Sequence, residues 1–212
     1  MNTRDLIILG AGTFAVETLE IAELMGGFVP RGFAVSEAPE SGRMLERCAV
    51  MHLDELPPPD RVVLVAGIVT TQRRRIVEDA LRRGYRFVTV VHPRATISPR
   101  AVVDAGAVIG AGVIVASNTR IGSHVILNRG ANIGHDNRLD PFVTVGPGAT
   151  IAGGVEVGPG AYIGVGAVVR DHLTIGTGAV VAAGAVVVKP VAAHTLVAGC
   201  PAVLVRADVD GL

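Results

Sequence analysis

The residues best suited to acid–base chemistry are His135 and Asp136, which are adjacent in the segment IGHDN. An imidazole titrates near neutral pH, so histidine is the usual general base, and a neighbouring carboxylate can orient its ring and stabilise its charged form. The sequence around this segment is otherwise small and aliphatic. The pair is consistent with a catalytic base and its partner, or with an exposed histidine in a structural turn.

The pair lies within a six-residue repeat that fills the second half of the chain. Aliphatic anchors recur at every sixth position, Ala or Val is usual two positions before an anchor, and Gly is common three positions after it. A period of six without a break predicts a parallel β-helix. The anchors are Ile97, Val103, Ile109, Val115, Ile121, Leu127, Ile133, Leu139, Val145, Ile151, Val157, Ile163, Val169, Ile175, Val181 and Val187.

Residues 1–92 have a different pattern, in which short apolar runs alternate with helix-like segments. Strands are expected over 5–10, 32–36, 61–67 and 86–92, and helices over 13–26 and 70–84. Strands that alternate with helices predict a small doubly wound parallel sheet. We expect an α/β domain over 1–92, a β-helix over 93–190 and a C-terminal cap and tail over 191–212. The arginines at 73–75 are expected on the solvated face of the second helix.

Composition limits the classes of function. The 19 Lys and Arg residues balance 19 Asp and Glu residues, which gives no field that would favour nucleic acid or an anionic membrane. Cys48 and Cys200 show no metal-binding or disulfide spacing, and no apolar run reaches the length of a membrane span. These features predict a cytoplasmic protein without a metal site.

The chain resembles the hexapeptide-repeat acyltransferases of the left-handed β-helix type. Within them it is similar to the enzymes that N-acetylate nucleotide-linked 4-amino sugars, such as the bacillosamine, perosamine and sialic-acid-pathway acetyltransferases. The segments GAGTFA, RATISPRAVVDAGAVIGAGV, ILNRGANIGHD and VAGCPAVLV carry this resemblance. It implies a triangular prism of about five 18-residue coils, a homotrimer, and acetyl-CoA bound in the groove between adjacent prisms.

The resemblance also implies roles for individual residues. His135 would be the general base of a direct acetyl transfer and Asp136 its partner. Backbone around Val165 and Ala183 would contact CoA, together with the position of Thr144, where the family has a histidine that touches the thioester. Nucleotide-sugar contacts would come from Gly10, Gly12, Thr13, Phe14, Val35, Ser36, Gly67 and Asn128.

Five of these residues, at three places in the chain, depart from the family pattern. Thr13 and Phe14 stand where the glycine-rich loop usually continues Gly-His, and Val35 and Ser36 replace an acidic pair near the uridine. Thr144 replaces the second histidine. These differences weaken the expectation of a uridine nucleotide. They leave His135 and Asp136 unchanged, and the expectation of acetyl transfer rests on these two residues.

The resemblance thus predicts a 4-amino-4,6-dideoxy-sugar N-acetyltransferase, and other functions are consistent with parts of the sequence. An O-acetyltransferase on a hydroxyl acceptor is the nearest alternative, and a non-catalytic trimeric scaffold that binds a nucleotide sugar is another. GAGTFA also fits the loose dinucleotide pattern, but no acidic residue closes the second strand. A β-helix zinc site requires an H-x4-H pair, whereas His124 and His135 are 11 positions apart and His135 and His172 are 37 apart.

Overall fold

The computed structural model describes residues 4–71 and 73–212. The chain forms an N-terminal parallel α/β sheet followed by a parallel β-solenoid, which confirms the predicted fold class. No helix among the described residues combines the length and the apolarity needed to cross a membrane.

The N-terminal sheet has the strand order β3-β4-β2-β1-β5-β6, and only the β3–β4 pair is antiparallel. Helix α1 packs on one face of the sheet and α2 on the other, so the sheet is doubly wound as predicted. Strand β1 is buried on both faces, which explains its continuous apolar run. The elements are β1 Arg4–Leu9, α1 Thr13–Met25, β2 Phe28–Val35, β3 Met44–Leu45, β4 Cys48–His52, a 3-10 helix Leu53–Glu55, β5 Val62–Ala66, α2 Arg73–Arg82 and β6 Arg86–Phe87.

Two features of this part differ from the sequence-based expectation. The strand expected over 86–92 is two separate strands, because Val90 and Val91 pair with Val108 and Ile109 of the solenoid and not with the N-terminal sheet. The hairpin formed by β3 and β4 was not expected. Its strands are short, and their mixed composition lacks the alternation that identifies a half-buried strand.

The solenoid consists of two-residue strands that pair in parallel with the strands 18 positions away. Val115, for example, pairs with both Ile97 and Ile133. The strands are β7 Val90–Val91, β8 Thr96–Ile97, β9 Val102–Val103, β10 Val108–Ile109, β11 Ile114–Val115, β12 Arg120–Ile121, β13 Ile126–Leu127, β14 Asn132–Ile133, β15 Arg138–Leu139, β16 Thr144–Val145, β17 Thr150–Ile151, β18 Glu156–Val157, β19 Tyr162–Ile163, β20 Val168–Val169, β21 Thr174–Ile175, β22 Val180–Val181 and β23 Val186–Val187, followed by the antiparallel pair β24 Thr195–Gly199 and β25 Ala202–Ala207.

These strands build three faces. Face 1 contains β7, β10, β13, β16, β19 and β22, face 2 contains β8, β11, β14, β17, β20 and β23, and face 3 contains β9, β12, β15, β18 and β21. The second residue of each strand is the predicted anchor, and from Ile109 to Val187 no anchor is more than 1% exposed. The six-residue spacing therefore identified the interior of the prism.

Face 1 is covered by the N-terminal domain. The outward side chains of Val90, Val108 and Ile126 belong to the same apolar core as Leu6 and Ile8 of β1. The solenoid and the α/β domain thus share a core, and this shared core fixes the strand ends of the domain against the rim of the prism.

Candidate active site

The faces meet at three corners, one of which carries His135 and Asp136. The first corner, between faces 1 and 2, includes residues 128–130, 146–148, 164–166 and 182–184. The second corner, between faces 2 and 3, includes 116–118, 134–136, 152–154 and 170–172. The third corner, between faces 3 and 1, includes 122–124 and 140–142. A corner residue that no other part of the chain covers can direct its side chain towards a ligand.

His135 lies on the second corner and is open to solvent. Its side chain is 66% exposed. A Cβ placed on Gly153, one coil further along, would lie 2.7 Å from both Cε1 and Nε2 of the ring. The imidazole therefore occupies space that only a glycine at 153 leaves free, as the 18-residue stacking predicts.

Asp136 fixes the orientation of this imidazole. Its Oδ2 lies 2.7 Å from Nδ1 of His135, and its Oδ1 accepts a hydrogen bond of 3.1 Å from the side-chain amide of Asn118. These two hydrogen bonds hold the pKa of the Asp136 carboxyl below its usual range. The ionised carboxylate favours a proton on Nδ1 and leaves Nε2 as the free acceptor of the ring.

Two buried polar residues, Asn137 and Thr119, hold the backbone of this corner in place. The Asn137 amide donates to Gly134 O and Ala152 O and accepts from the N–H of Val155. The Thr119 hydroxyl donates 2.7 Å to Gly134 O. Neither residue was predicted as part of the site, although the sequence carries a signal: each stands two positions before an anchor, where the repeat normally has Ala or Val.

The predicted nucleotide-sugar residues of the N-terminal domain surround a cavity at the strand ends. Cavity A has a volume of about 480 Å³. Gly10 adopts φ +104°, which favours glycine, and a Cβ on Gly67 would lie 2.7 Å from the Cα of Ala15. The structure brings six of the eight predicted substrate residues together here, with contributions from both domains. Cavity A is lined by Gly10, Ala11, Gly12, Thr13, Phe14, Glu17, Gly67, Ile68, Val69, Thr70, Asn128, Arg129 and Pro147.

The remaining two predicted residues, Val35 and Ser36, line a neighbouring cavity. Cavity C is formed by the loop after β2. Cavity B lies between cavities A and C: it shares Ile68 and Thr70 with cavity A and Ser36 with cavity C. Together the three cavities form a groove along the carboxyl ends of β1, β2 and β5, where ligands of open parallel sheets bind.

The two predicted CoA positions, Val165 and Ala183, lie on the first corner. Val165 is 51% exposed, and Ala183 is also exposed. They stack one and two coils beyond Pro147, which lines cavity A. His135 is on the second corner, one face away from this column, so a single protomer does not bring the histidine to cavity A.

Thr144 is not available to a ligand in this structure. It is completely buried on face 1, where its hydroxyl accepts from Arg73 Nη1 at 2.7 Å and donates to Val69 O at 3.1 Å. Thr144 is accordingly better described as part of the domain interface than as a cofactor contact. The expectation that all of 73–75 face solvent is wrong, because Arg73 is 1% exposed and donates into this interface.

His124, on the third corner, is a neutral buried histidine. Its ring stacks on Phe142 with centroids 5.1 Å apart and meets the edge of Phe87 at 4.8 Å. Burial, and then the charge of Arg73, lower its pKa from 6.5 to about 4. Within the described residues its Nδ1 has no hydrogen-bond partner.

This depressed pKa predicts acid sensitivity of the fold. Below pH 6.5 the unfolded histidine takes up a proton that the folded one resists until about pH 4, so stability falls as the pH falls through this window. The full effect is about 3 kcal/mol. His124→Phe should remove this part of the pH dependence, because Phe142 already shows that phenylalanine tolerates the same left-handed φ. Urea unfolding at pH 7 and pH 4 measures it, and equal pH dependence in both proteins would contradict it.

Metal coordination is not supported by side-chain grouping. Among residues 4–71 and 73–212, no three His, Cys, Asp or Glu side chains are close enough to hold a metal ion. His172 lies two coils beyond Asp136 on the second corner and is 78% exposed.

Comparison with solved structures finds close relatives of the whole chain. A perosamine N-acetyltransferase from Caulobacter crescentus, solved with CoA and GDP-perosamine, is 30% identical, with a TM-score of 0.88 over 95% of this chain and 97% of that one. The acetyltransferase domain of PglB from Neisseria gonorrhoeae, solved with acetyl coenzyme A, is 30% identical, with a TM-score of 0.87 over 96% and 100%. WeeI from Acinetobacter baumannii is 26% identical, with a TM-score of 0.85 over 96% and 100%. No protein-family model and no curated protein matches the sequence.

Proposed function

Since the chain belongs to the left-handed β-helix acyltransferases of the sugar N-acetyltransferase type, we propose that it transfers the acetyl group of acetyl-CoA to the amine of a nucleotide-linked 4-amino-4,6-dideoxy sugar. The observation that carries this proposal is the His135 imidazole, exposed beside Gly153 with Nδ1 held by Asp136. In the proposed reaction the transfer is direct, without an acetylated enzyme.

The nucleotide sugar is proposed to lie along the groove of the N-terminal domain. The base would occupy cavities B and C near Ser36, the diphosphate would cross the Gly10 and Gly12 turn, and the sugar would extend into cavity A towards Asn128. The N–H groups of Gly12, Thr13 and Phe14 support this arrangement: they precede or begin α1 and donate to no acceptor within the described chain. The first turn of a helix is a favourable position for phosphate.

His135 acts in the proposal as the general base. Nε2 accepts a proton from the sugar nitrogen as that nitrogen attacks the thioester carbonyl, and Asp136 stabilises the resulting imidazolium. The N–H of Gly153, beside the ring, donates to no acceptor among the described residues and is a candidate donor to the tetrahedral oxyanion. When the intermediate collapses, the proton goes to the thiolate of CoA.

A homotrimer would complete the site, because cavity A and His135 lie on different corners of one prism. Face 2 separates these corners, and its outward row is uncharged: Thr96, Ile114, Asn132, Thr150, Val168 and Val186. Interface cores are depleted in charge, which fits face 2 better than face 3 with its Arg120, Arg138 and Glu156. In the proposal a neighbouring copy brings its His135 to cavity A, with acetyl-CoA along Val165 and Ala183 between them.

We place this trimer in the cytoplasm, where Cys48 and Cys200 stay reduced.

A panel of acceptors tests the function. Release of CoA thiol is followed with acetyl-CoA and UDP-, dTDP- or GDP-linked 4-amino sugars, each matched with its 4-hydroxy counterpart. The proposal predicts turnover on one nucleotide series, with the amine preferred over the matched hydroxyl. Turnover only on hydroxyl acceptors would replace it with O-acetylation, and failure to bind acetyl-CoA would leave the scaffold alternative.

A further inference from the structure

Arg73 is a buried cation that no carboxylate of the described residues neutralises. It belongs to none of the ion pairs found there, and its guanidinium donates instead to the Thr144 hydroxyl and to five backbone carbonyls. A buried charge is costly unless hydrogen bonds or an opposite charge compensate it. The acceptors are Val69 O at 3.3 Å, Thr70 O at 2.9 Å, His124 O at 2.9 Å, Phe142 O at 2.9 Å and Val143 O at 3.0 Å.

Two of these carbonyls belong to the segment 67–70 that separates cavities A and B. Val69 O is held from the same side by Arg73 and by the Thr144 hydroxyl. The peptide bond between Val69 and Thr70 is trans, and in a trans peptide the C=O and N–H point in opposite directions. The N–H of Thr70 therefore points away from Arg73 and the Thr144 hydroxyl, and Thr70 itself lines both cavities.

Three of the four N–H groups on this segment can bind a ligand, whereas the N–H of Gly67 donates to Leu9 O. Those of Ile68, Val69 and Thr70 donate to no acceptor within residues 4–71 and 73–212. A guanidinium bound to a carbonyl polarises the peptide and makes its N–H a stronger donor. Successive free backbone N–H groups with a positive charge behind them form an anion-binding arrangement.

We propose that Arg73 is a positioning residue for the diphosphate of the nucleotide sugar. Together with Thr144 it holds the peptide between Val69 and Thr70 so that the N–H of Thr70 donates to the diphosphate, which also compensates the buried charge. This inference rests on the proposed function, because it assigns part of the same groove. It differs from a purely structural role, in which Arg73 would only join the two domains.

Calorimetric titration with nucleoside diphosphates and the corresponding nucleosides separates these roles. Arg73 also contributes to stability, so Thr144→Val, which removes only one hydroxyl from the arrangement, carries the test alongside Arg73→Lys. Thr144→Val should weaken binding of the diphosphate about three- to ten-fold, and Arg73→Lys should weaken it about ten-fold or more. Affinity for the nucleoside and for acetyl-CoA should stay within about two-fold of wild type, since neither depends on the Thr70 N–H.

Arg74→Met is the matched control. It removes a neighbouring cation that stacks over Phe142, 5.1 Å from the ring centroid, and that lines neither cavity A nor cavity B. Its ratio of diphosphate to nucleoside affinity should equal that of wild type. If the wild-type enzyme acetylates an amino sugar, but Thr144→Val and Arg73→Lys keep the wild-type ratio of diphosphate to nucleoside affinity, the inference is overturned and the proposed function is not. A wild-type protein that binds no nucleoside diphosphate and acetylates no amino sugar would remove the proposed function and the inference with it.

Discussion

Replacing His135 by alanine is expected to lower kcat for acetyl transfer by about 10²- to 10⁴-fold, the usual contribution of a positioned general base. The KM for acetyl-CoA and the thermal unfolding midpoint should change little, because the ring is 66% exposed and contributes little to the packed core. Steady-state kinetics at saturating acetyl-CoA measure the effect. His172→Asn is the matched control: it removes an exposed imidazole from the same corner, and asparagine tolerates the left-handed φ of +54°. Its kcat should equal that of wild type.

Gly153→Ala should also lower kcat, although it leaves the histidine in the chain. The new Cβ would lie 2.7 Å from the imidazole, and because the ring is on the surface it should move aside while the backbone stays in place. Gly153 is not among the glycines with a left-handed φ, so alanine is allowed there. We expect a loss of kcat of about ten-fold or more at unchanged stability. A His135→Ala enzyme that keeps more than a third of wild-type kcat would contradict the role of the base.

The geometry around His135 was accessible from the sequence because the solenoid is a strictly periodic structure. Once the anchors fix an 18-residue coil, residue 153 must lie next to residue 135, and its being glycine can be read directly. Alternation of strands and helices likewise predicted the sheet whose carboxyl ends carry Gly10 and Gly67. In both cases local periodicity determines the position of each side chain.

The domain interface could not be predicted in this way. Arg73 lies in a helix segment rich in charge, and nothing in its local pattern distinguishes it from Arg74 or Arg75. Its burial depends on how the α/β domain docks on face 1, which brings it to carbonyls about 50 and 70 positions away. The burial of Thr144 could not be predicted for the same reason, since the repeat does not show which domain covers face 1.

The second large effect is expected from Arg73→Leu, which should destabilise the fold by about 3–5 kcal/mol. The substitution leaves several buried carbonyls and the Thr144 hydroxyl without their donor. Urea unfolding at one fixed protein concentration measures the loss, because the stability of the proposed trimer would depend on concentration. An unchanged m-value would show that the native and unfolded states keep their compactness.

Arg74→Leu provides the comparison for this prediction. Arg74 is half-buried, has no ion pair among the described residues, and contacts Phe142 through its guanidinium face. Its loss should cost about 1 kcal/mol or less. Equal destabilisation by the two substitutions would contradict the prediction. It would mean that the hydrogen bonds of Arg73 stabilise the fold no more than the half-buried guanidinium of Arg74 does.

Mass spectrometry of a reaction with acetyl-CoA and the 4-amino sugar preferred in the acceptor panel tests the central claim most directly. The account predicts an acetylated sugar whose amide forms with wild type, is reduced at least about a hundred-fold with His135→Ala, and appears without any acetylated protein. Amide formation at equal rates with both proteins, or an acetyl group on the protein chain, would contradict direct transfer by a His135 base.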